Sequence, residues 1–272
     1  MNKDKNNQLR FSFGKNWQLF LTSLSQKKID TAKDSLTSLI NLNNLDNKKF
    51  LDIGSGSGLF SLSANLLGAE VMSFDYDEFS VEATKYIKEK YSNNNNNWKI
   101  EKGDVLNNSY VDSLGVFDFV YSWGVLHHTG EMYKALENAS KCVNEDGYLI
   151  IAIYNTQITT PIWKVIKKYY VKSPSLIKLL LSYFFTLYFI LGLFFIDLIR
   201  VKNPIKRYIS SVRGMSVYTD VVDWIGGYPF ETARPEEIFN FYKQKGFILE
   251  NIRTVGGKMG CNEFVFKKIK SK

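Results

Sequence analysis

The chain has few of the residues that stabilise small secreted domains. It has only two cysteines in 272 residues, Cys142 and Cys261, and they lie far apart in the sequence. Residues 1–7 are polar and no apolar stretch follows them, so the sequence predicts no signal peptide. A disulfide-stabilised extracellular fold is therefore not predicted, and we expect a cytoplasmic protein whose cysteines stay reduced.

Acidic residues are scarce in one part of the chain. Residues 157–216 hold seven lysines and three arginines but the single acid Asp197, a net charge of +9. The whole chain carries +8, so everything outside this stretch sums to −1. Within the stretch, Leu179–Ile196 contains eighteen residues and no charge. A segment that is both basic and apolar needs an explanation beyond an ordinary solvated surface.

Glycine, in contrast, is concentrated where a ligand can lie against bare backbone. The sequence KFLDIGSGSGLF at Lys49–Phe60 places an apolar strand, an acid and three alternate glycines in order. The dinucleotide fingerprint G-x-G-x-x-G has a small residue where this chain has Leu59. The spacing D-x-G-x-G-x-G therefore favours S-adenosylmethionine over a pyrophosphate, because its charged amino-acid end needs Asp52 as well as backbone amides.

Two further acids follow the next two predicted strands. Asp75 lies 21 residues after Gly54, where a carboxylate can accept both hydroxyls of a ribose, although this acid alone would suit NAD equally well. Asp104 can accept from an adenine amino group while Val105 covers the ring. Acids after three successive strands indicate one nucleoside cofactor. The predicted cofactor contacts are Asp52, Gly54, Ser55, Gly56, Gly58, Asp75, Tyr76, Asp104, Val105, Ser122 and Trp123.

These motifs resemble the class I S-adenosylmethionine-dependent methyltransferases, and within them a branch similar to ubiquinone-pathway O-methyltransferases. The resemblance covers nearly the whole chain and implies an enzyme that transfers a methyl group. It also implies that the amino-terminal residues close over the cofactor, through Arg10, Phe11, Phe13, Asn16 and Trp17. The matching segments are Arg10–Trp17, Phe50–Ala64, Ser73–Asp77, Phe117–Gly130, Asp223–Glu231 and Gly260–Phe266.

Strands and helices alternate through the first half, so the sequence predicts a doubly wound α/β fold. We expect a mostly parallel seven-stranded sheet with an antiparallel C-terminal strand and a helical insertion after the fifth strand. The chain is then one domain, 1–272. Its predicted parts are a helical cap (1–45), a cofactor-binding half (46–155), a basic and apolar helical insertion or lid (156–216), and an acceptor loop, helix and hairpin (217–272).

The insertion passes the length test for a membrane-spanning helix, which needs about eighteen apolar residues. A single crossing would separate strands that should share one sheet, and two crossings would need roughly forty apolar residues, so no span is predicted. Contact with an anionic membrane surface or a lipid-like substrate through residues 164–207 is one reading. A lid or dimer helix packed on protein is the other, and nucleic acid is not expected. The basic residues concerned are Lys164, Lys167, Lys168, Lys172, Lys178, Arg200, Lys202, Lys206 and Arg207.

The only two histidines, His127 and His128, are adjacent in the loop after the fourth strand. In the resembling fold the transferred methyl group points toward this loop, so either imidazole could take a proton from an acceptor hydroxyl. Position in the loop slightly favours His128, and the alternative is a packing or capping role. No metal site is predicted, because the pair lacks separated third and fourth ligands.

The acceptor is narrowed mainly by what the chain lacks. SWGV stands where an Asn-Pro-Pro-aromatic run would bind a base amine, and neither cysteine follows a proline. Methylation of adenine or cytosine is therefore not expected. With His128 or His127 as the base, we expect methylation of oxygen on a small or lipid-linked hydroxylated metabolite. The alternatives are nitrogen or carbon methylation, or a non-catalytic cofactor-binding protein recruited to a membrane. The predicted acceptor wall, on a tight turn that could also be a solvated loop, comprises Arg213, Asp220, Asp223, Trp224, Tyr228 and Glu231.

Overall fold

The computed structural model describes residues 9–92, 97–199 and 217–270. Its seven strands form one sheet in the order β3-β2-β1-β4-β5-β7-β6. Strand β7 runs antiparallel to both of its neighbours, and the pairs among β1 to β5 are parallel. The predicted fold class is confirmed. The strands are β1 (Lys49–Ile53), β2 (Glu70–Asp75), β3 (Trp98–Lys102), β4 (Phe117–Trp123), β5 (Val143–Tyr154), β6 (Phe247–Arg253) and β7 (Cys261–Lys268).

Helices flank the sheet and also form the cap and the insertion. The cap consists of two helices, the second ending at Ile40 because Asn41 adopts a left-handed conformation. A short 3₁₀ turn at Leu126–His128 carries the histidine pair. The described helices are α1 (Gly14–Thr22), α2 (Gln26–Ile40), α3 (Leu59–Leu66), α4 (Glu78–Tyr91), α5 (Asn108–Leu114), α6 (Met132–Lys141), α7 (Thr160–Lys172), α8 (Ser175–Ile199), α9 (Val217–Gly226) and α10 (Pro235–Lys243).

The core lies on both faces of the sheet, because helices cover both sides of the central parallel strands. Successive residues of one strand alternate between two apolar clusters. Leu51 and Ile151 belong to the cluster beneath α6 and α10, whereas Phe50 and Ile150 belong to the cluster beneath α2 and α3. This arrangement fixes the carboxyl edge of the sheet, where β1, β2 and β4 end side by side.

The insertion packs beside that edge as a third apolar cluster formed by α7, α8 and α9. Leu181, Phe185 and Phe189 of α8 face this cluster. Among the described residues one helix, Ser175–Asp197, is long and apolar enough to cross a membrane, and only 6% of its most apolar window is buried. Yet β5 precedes α8 and β7 follows it, and these two strands pair directly. A single crossing would break that pairing.

Two local expectations are wrong, and several other predicted residues lie outside the described ranges. The acceptor segment was expected to form a tight turn, but its first half is the helix α9, whose residues Val221 and Ile225 repeat at helical spacing and are buried. Lys167 was expected among the basic residues of a surface, but it is fully buried. Residues 93–96, most of the predicted asparagine loop, lie outside the described residues, as do Arg200, Lys202, Lys206, Arg207 and Arg213.

Candidate active site

The glycine loop leaves β1 in a backbone conformation that side chains disfavour. Gly54, Gly56 and Gly58 have φ angles of 76, 56 and 79°. A Cβ atom on Gly58 would lie 2.9 Å from the backbone of Thr84 in α4, so close packing of α3 on α4 requires glycine there. The Ser55 hydroxyl lies 2.9 Å from the Thr84 hydroxyl, and the backbone N–H of Ser55 donates to Phe74 O at 3.1 Å. Ser55 therefore holds the loop in place.

Asp52 lies beneath this loop and is nearly inaccessible to solvent. Its Oδ2 accepts from the Ser61 hydroxyl at 2.5 Å, and Ser61 in turn lies 2.7 Å from the Ser73 hydroxyl. The Trp98 indole donates to Ser73 at 2.8 Å. Burial raises the pKa of Asp52 to about 7. This chain of hydroxyls orients a carboxyl group that is poised to ionise when a cation approaches.

Asp75 ends β2 beside the same loop. Its Oδ2 accepts from Gly56 N at 2.9 Å and its Oδ1 from Asp77 N at 2.8 Å. Burial raises the pKa of Asp75 to about 6. Asp104 follows β3 and accepts from Leu106 N at 2.9 Å, while the neighbouring Val105 is buried. The predicted acids thus line one edge of the sheet in the order expected for a nucleoside.

At the carboxyl edge of the sheet, the end of β4 lies beside β1, on the side opposite β2. Ser122 is fully buried and donates to Ile53 O at 2.9 Å, so it fastens β4 to β1. The Trp123 indole donates to Glu263 Oε1 at 3.4 Å. A Cβ atom on Gly54 would lie 2.4 Å from Val125, which brings the loop after β4 directly against the glycine loop. The histidine pair follows two residues later.

The two histidines have different environments. His127 is fully buried, and its Nδ1 accepts from Tyr154 N at 3.4 Å. His128 is half-buried, and its Nδ1 lies 2.7 Å from Pro229 O. Burial lowers the pKa of His128 to about 3 and that of His127 well below its ordinary value, so both rings are neutral at pH 7. Their tautomers are opposite, because one Nδ1 accepts and the other donates.

The predicted acceptor wall borders these histidines. A Cβ atom on Gly227 would lie 2.8 Å from Cε1 of His128, so glycine gives that ring its space. Glu231 Oε2 accepts from Met132 N at 3.0 Å, which assigns this carboxylate to the start of α6. Trp224 packs at 5.2 Å from the Tyr154 ring, whereas Asp220 is exposed. Arg213 lies outside the described residues.

A family model for a methyltransferase domain matches residues 44–178, about half of the chain and all of the glycine loop, the acids and the histidine pair. The chain belongs to the class I S-adenosylmethionine-dependent methyltransferases. The residues present fit that cofactor, since the loop has no room for side chains at its glycines, so its backbone stays bare, and the buried carboxyl of Asp75 lies beside it. Only glycine fits at position 56, because a Cβ atom there would lie 3.0 Å from the Trp17 ring.

Named relatives agree with this family. The methyltransferase is 37% identical over 113 residues to the ribosomal protein L11 methyltransferase of Prochlorococcus marinus, covering 40% of this chain and 36% of that protein. It is 26% identical over 127 residues to the ubiquinone biosynthesis O-methyltransferase of Pelagibacter ubique, covering 47% and 50%. The chain therefore spans between about a third and a half of the length of these curated relatives.

Among solved structures, the methyltransferase resembles the magnesium protoporphyrin IX methyltransferase of Synechocystis PCC 6803 with bound SAH. The TM-score is 0.54 at 15% identity, over 93% of each chain. A putative methyltransferase from Bacillus halodurans gives the same TM-score at 12% identity, over 87% of this chain and 100% of that one. At such identities the likeness shows the fold.

The amino-terminal segment of the methyltransferase, residues 9–17, lies across this site. Arg10 donates to Thr129 O at 2.9 Å, and its guanidinium lies 4.7 Å from the centre of the exposed Tyr76 ring. Phe11 N donates to Tyr228 O at 2.9 Å. Further contacts join Ser12 to Asp77 at 2.7 Å, Asn16 to Asp223, and the Phe13 ring to the His128 ring at 5.1 Å. The segment thus bridges the predicted cofactor and acceptor sides.

Lys167 is the site residue that the sequence analysis missed. It lies on α7, and its Nζ donates to Trp224 O. The same nitrogen is 4.0 Å from the centre of the Trp224 ring, 4.7 Å from Phe230 and 5.9 Å from Tyr154. A signal was present, because Trp163, Lys167 and Val171 follow one another at helical spacing. A lysine in an apolar stripe indicates a buried charge.

Proposed function

We propose that this chain transfers the methyl group of S-adenosylmethionine to an oxygen atom of a small or lipid-linked hydroxylated metabolite, with His128 as proton acceptor. The observation that carries the proposal is the 2.7 Å contact between His128 Nδ1 and Pro229 O. A carbonyl oxygen can only accept, so Nδ1 carries the hydrogen and Nε2 keeps its lone pair. The ring is thereby oriented as a base.

His127 is the poorer candidate for the same role. Its Nδ1 accepts from Tyr154 N, so the neutral ring carries its hydrogen on Nε2 and can only donate there. The predicted preference for His128, which came from position in the loop, thus gains support from the tautomers.

A weak base is sufficient for this reaction. When bound, S-adenosylmethionine supplies an electrophilic methyl group on a sulfonium. An acceptor hydroxyl that gained this methyl group would become strongly acidic, and the sulfur would keep the electron pair of the former carbon–sulfur bond. Nε2 of His128 then takes the hydroxyl proton, and a pKa of about 3 keeps its lone pair available throughout the neutral range.

The base assignment is tested with His128→Asn, because the asparagine amide can still donate to Pro229 O while the Nε2 lone pair is lost. We expect kcat to fall by about 100-fold or more, the usual contribution of a general base, with S-adenosylhomocysteine affinity within about twofold. The control is Asp112→Asn, an exposed acid on α5 that should keep the wild-type kcat. Full activity of His128→Asn would remove His128 as the base.

The acceptor class is tested with labelled cofactor and fractionated lipid and aqueous extracts. Label on a base-labile or ether oxygen in the product supports the proposal. A His127/His128 double variant that keeps full activity would point to nitrogen or carbon methylation instead. If the chain binds S-adenosylmethionine but makes no S-adenosylhomocysteine with any extract, it is a non-catalytic cofactor-binding protein.

We further propose that the outer face of α8 rests on an anionic membrane, which places the protein in the cytoplasm at the inner membrane face. Leu180, Phe184 and Leu187 are each more than half exposed, at 60%, 62% and 57%. The lysines Lys164, Lys168 and Lys172 on the adjacent α7 are exposed, whereas the one acid of the segment, Asp197, is buried. A homodimer through this face would bring like charges together, so we favour the membrane.

A further inference from the structure

The lysine at the acceptor side is buried without a carboxylate partner. Lys167 has no solvent exposure. Within the described ranges 9–92, 97–199 and 217–270, no carboxylate lies within ion-pairing distance of its Nζ. Burial lowers the pKa of Lys167 well below its ordinary value, and the more distant Asp223 opposes that shift. Buried charges are normally paired, so this amine needs an explanation.

Two other buried donors of the same cluster have no hydrogen-bond partner among the described residues. They are Nε2 of His127 and Nε1 of Trp224. Both are donors, since His127 accepts through Nδ1 and an indole nitrogen can only donate. An unpartnered buried donor costs about 1–3 kcal/mol, so two in one place are unusual unless a ligand satisfies them.

All three groups surround one side chain at the end of β5. The Tyr154 ring lies 4.1 Å from the His127 ring, 5.2 Å from the Trp224 ring and 5.9 Å from Lys167 Nζ. The His128 ring, the proposed base, is 5.4 Å from the same tyrosine. The three donors therefore lie in one small region next to His128, the proposed base.

We propose that Lys167, Trp224 and His127 form a subsite for an anionic oxygen group of the methyl acceptor, a carboxylate or phosphate on or near an aromatic or other planar body. This inference rests on the proposed function, because it names the chemistry of the acceptor. An anion beside Lys167 would favour its protonated form, and that ammonium with two N–H donors matches a group that has several acceptor oxygens and no donor. The rings of Trp224, Phe230 and Tyr154 would cover the apolar body beside it.

The subsite can be tested with a matched pair of probes that differ in charge. The full chain is saturated with S-adenosylhomocysteine and titrated by calorimetry with benzoate or with benzamide. We expect wild-type protein to bind benzoate at least about tenfold more tightly, as charge-assisted hydrogen bonds predict. Lys167→Met should abolish that preference, because methionine fills a similar volume without charge. Lys168→Met removes an exposed lysine one residue further along α7 and should keep the preference.

Equal wild-type affinity for the two probes, or no saturable binding of benzoate, overturns the proposal, as does an unchanged preference in Lys167→Met. The S-adenosylhomocysteine affinity of each variant reports whether it folds. If Lys167→Met does not bind that nucleoside, Trp224→Phe decides, since it removes the Nε1–H and keeps an aromatic ring. A severalfold smaller preference for benzoate then supports the subsite, and an unchanged preference sinks it.

Failure of the subsite and failure of the proposed function give different results. A chain that prefers benzoate but never transfers labelled methyl groups has the subsite without the proposed activity. A chain that labels uncharged acceptors as readily as anionic ones has the activity without the subsite.

Discussion

At the scale of single residues, the cofactor side of the site depends on acids that burial keeps poorly ionised. The pKa of Asp52 is raised to about 7 and that of Asp75 to about 6, from an ordinary value of 3.8. A raised folded-state pKa means that the stability contributed by the protonated group is fully present below about pH 4. That contribution is lost as the pH rises through 6 to 7. These two groups therefore stabilise the ligand-free protein least above about pH 7, where both carboxyls are ionised and ready to bind the cofactor.

The pH dependence of cofactor binding follows from Asp75. The carboxylate must lose its proton to accept two ribose hydroxyls, so S-adenosylhomocysteine affinity should fall as the pH drops through about 6. Asp75→Asn should bind about 100-fold more weakly at pH 8 and lose the step near pH 6, by calorimetry. Asp112→Asn, an exposed acid on α5, should behave as wild type. Unchanged affinity of Asp75→Asn at pH 8 contradicts the ribose assignment.

At the scale of elements, α8 has two faces with different uses. Its inner face packs Leu181, Phe185 and Phe189 against α7 and α9. Its outer face exposes leucine, phenylalanine and tyrosine side chains over most of the helix length. The sequence is compatible with either a lid or a membrane contact. Because α8 has two apolar faces, the inner face can pack on protein while the outer face contacts a membrane.

The outer face can be tested by vesicle flotation of the full chain. The triple variant Leu180→Gln, Phe184→Gln and Leu187→Gln should partition at least about tenfold less onto vesicles containing anionic lipid, because each change removes apolar area that would enter the interface. Wild-type binding should weaken with added salt. The control pair Val116→Gln and Ile248→Gln changes exposed apolar residues elsewhere. Equal flotation of the two variants would contradict membrane docking.

Sequence patterns predicted the elements that have strong local signals. The sequence predicts the first four strands at residues 49–53, 70–74, 98–102 and 117–122, each within one residue of the observed bounds, because glycine or an acid marks the end of each strand. The sequence pattern predicts no helix between the third and fourth strands, because the seven residues of α5, capped by Asn107, are too short to show a period. Helix α9 was taken for a turn because the adjacent Gly226 and Gly227 outweighed the helical spacing of Val221 and Ile225.

The site was predictable only where backbone position fixes chemistry. Acids after consecutive parallel strands must share one edge, so Asp52, Asp75 and Asp104 could be placed from spacing alone. Whether a side chain on the insertion is buried depends on which helices pack against it. A count of charges in the sequence does not give that packing. Lys167 was therefore counted with the surface lysines, and the opposite tautomers of the histidines depended on partners as distant in sequence as Pro229.

At the scale of the whole molecule, residues 9–17 join parts of the site that are remote in sequence. They contact the turn after β2, the loop after β4 and the wall that follows α9. Each single hydrogen bond contributes only about 1 kcal/mol, so the segment can open more easily than the sheet. It is the described part of the chain best placed to act as a lid.

Lid opening should limit cofactor release. Ser12→Ala removes the 2.7 Å bond to Asp77 without touching the glycine loop, and should speed S-adenosylhomocysteine dissociation about fivefold in stopped-flow fluorescence. Bound nucleoside should also slow amide exchange in residues 9–22. Ser113→Ala, which loses only a local surface bond in α5, is the control. An unchanged dissociation rate would show that the segment does not gate the site.

The contact between Trp17 and Gly56 has a consequence for the order of events in a catalytic cycle. We expect the Trp17 indole, which lies against the backbone of Gly56, to move aside before S-adenosylmethionine binds and again before S-adenosylhomocysteine leaves. Residues 9–17 also contact the acceptor side of the site, through Phe11 and Phe13. We therefore expect sequential kinetics in which the donor binds first, and a steady state in which the departure of the demethylated nucleoside sets the pace.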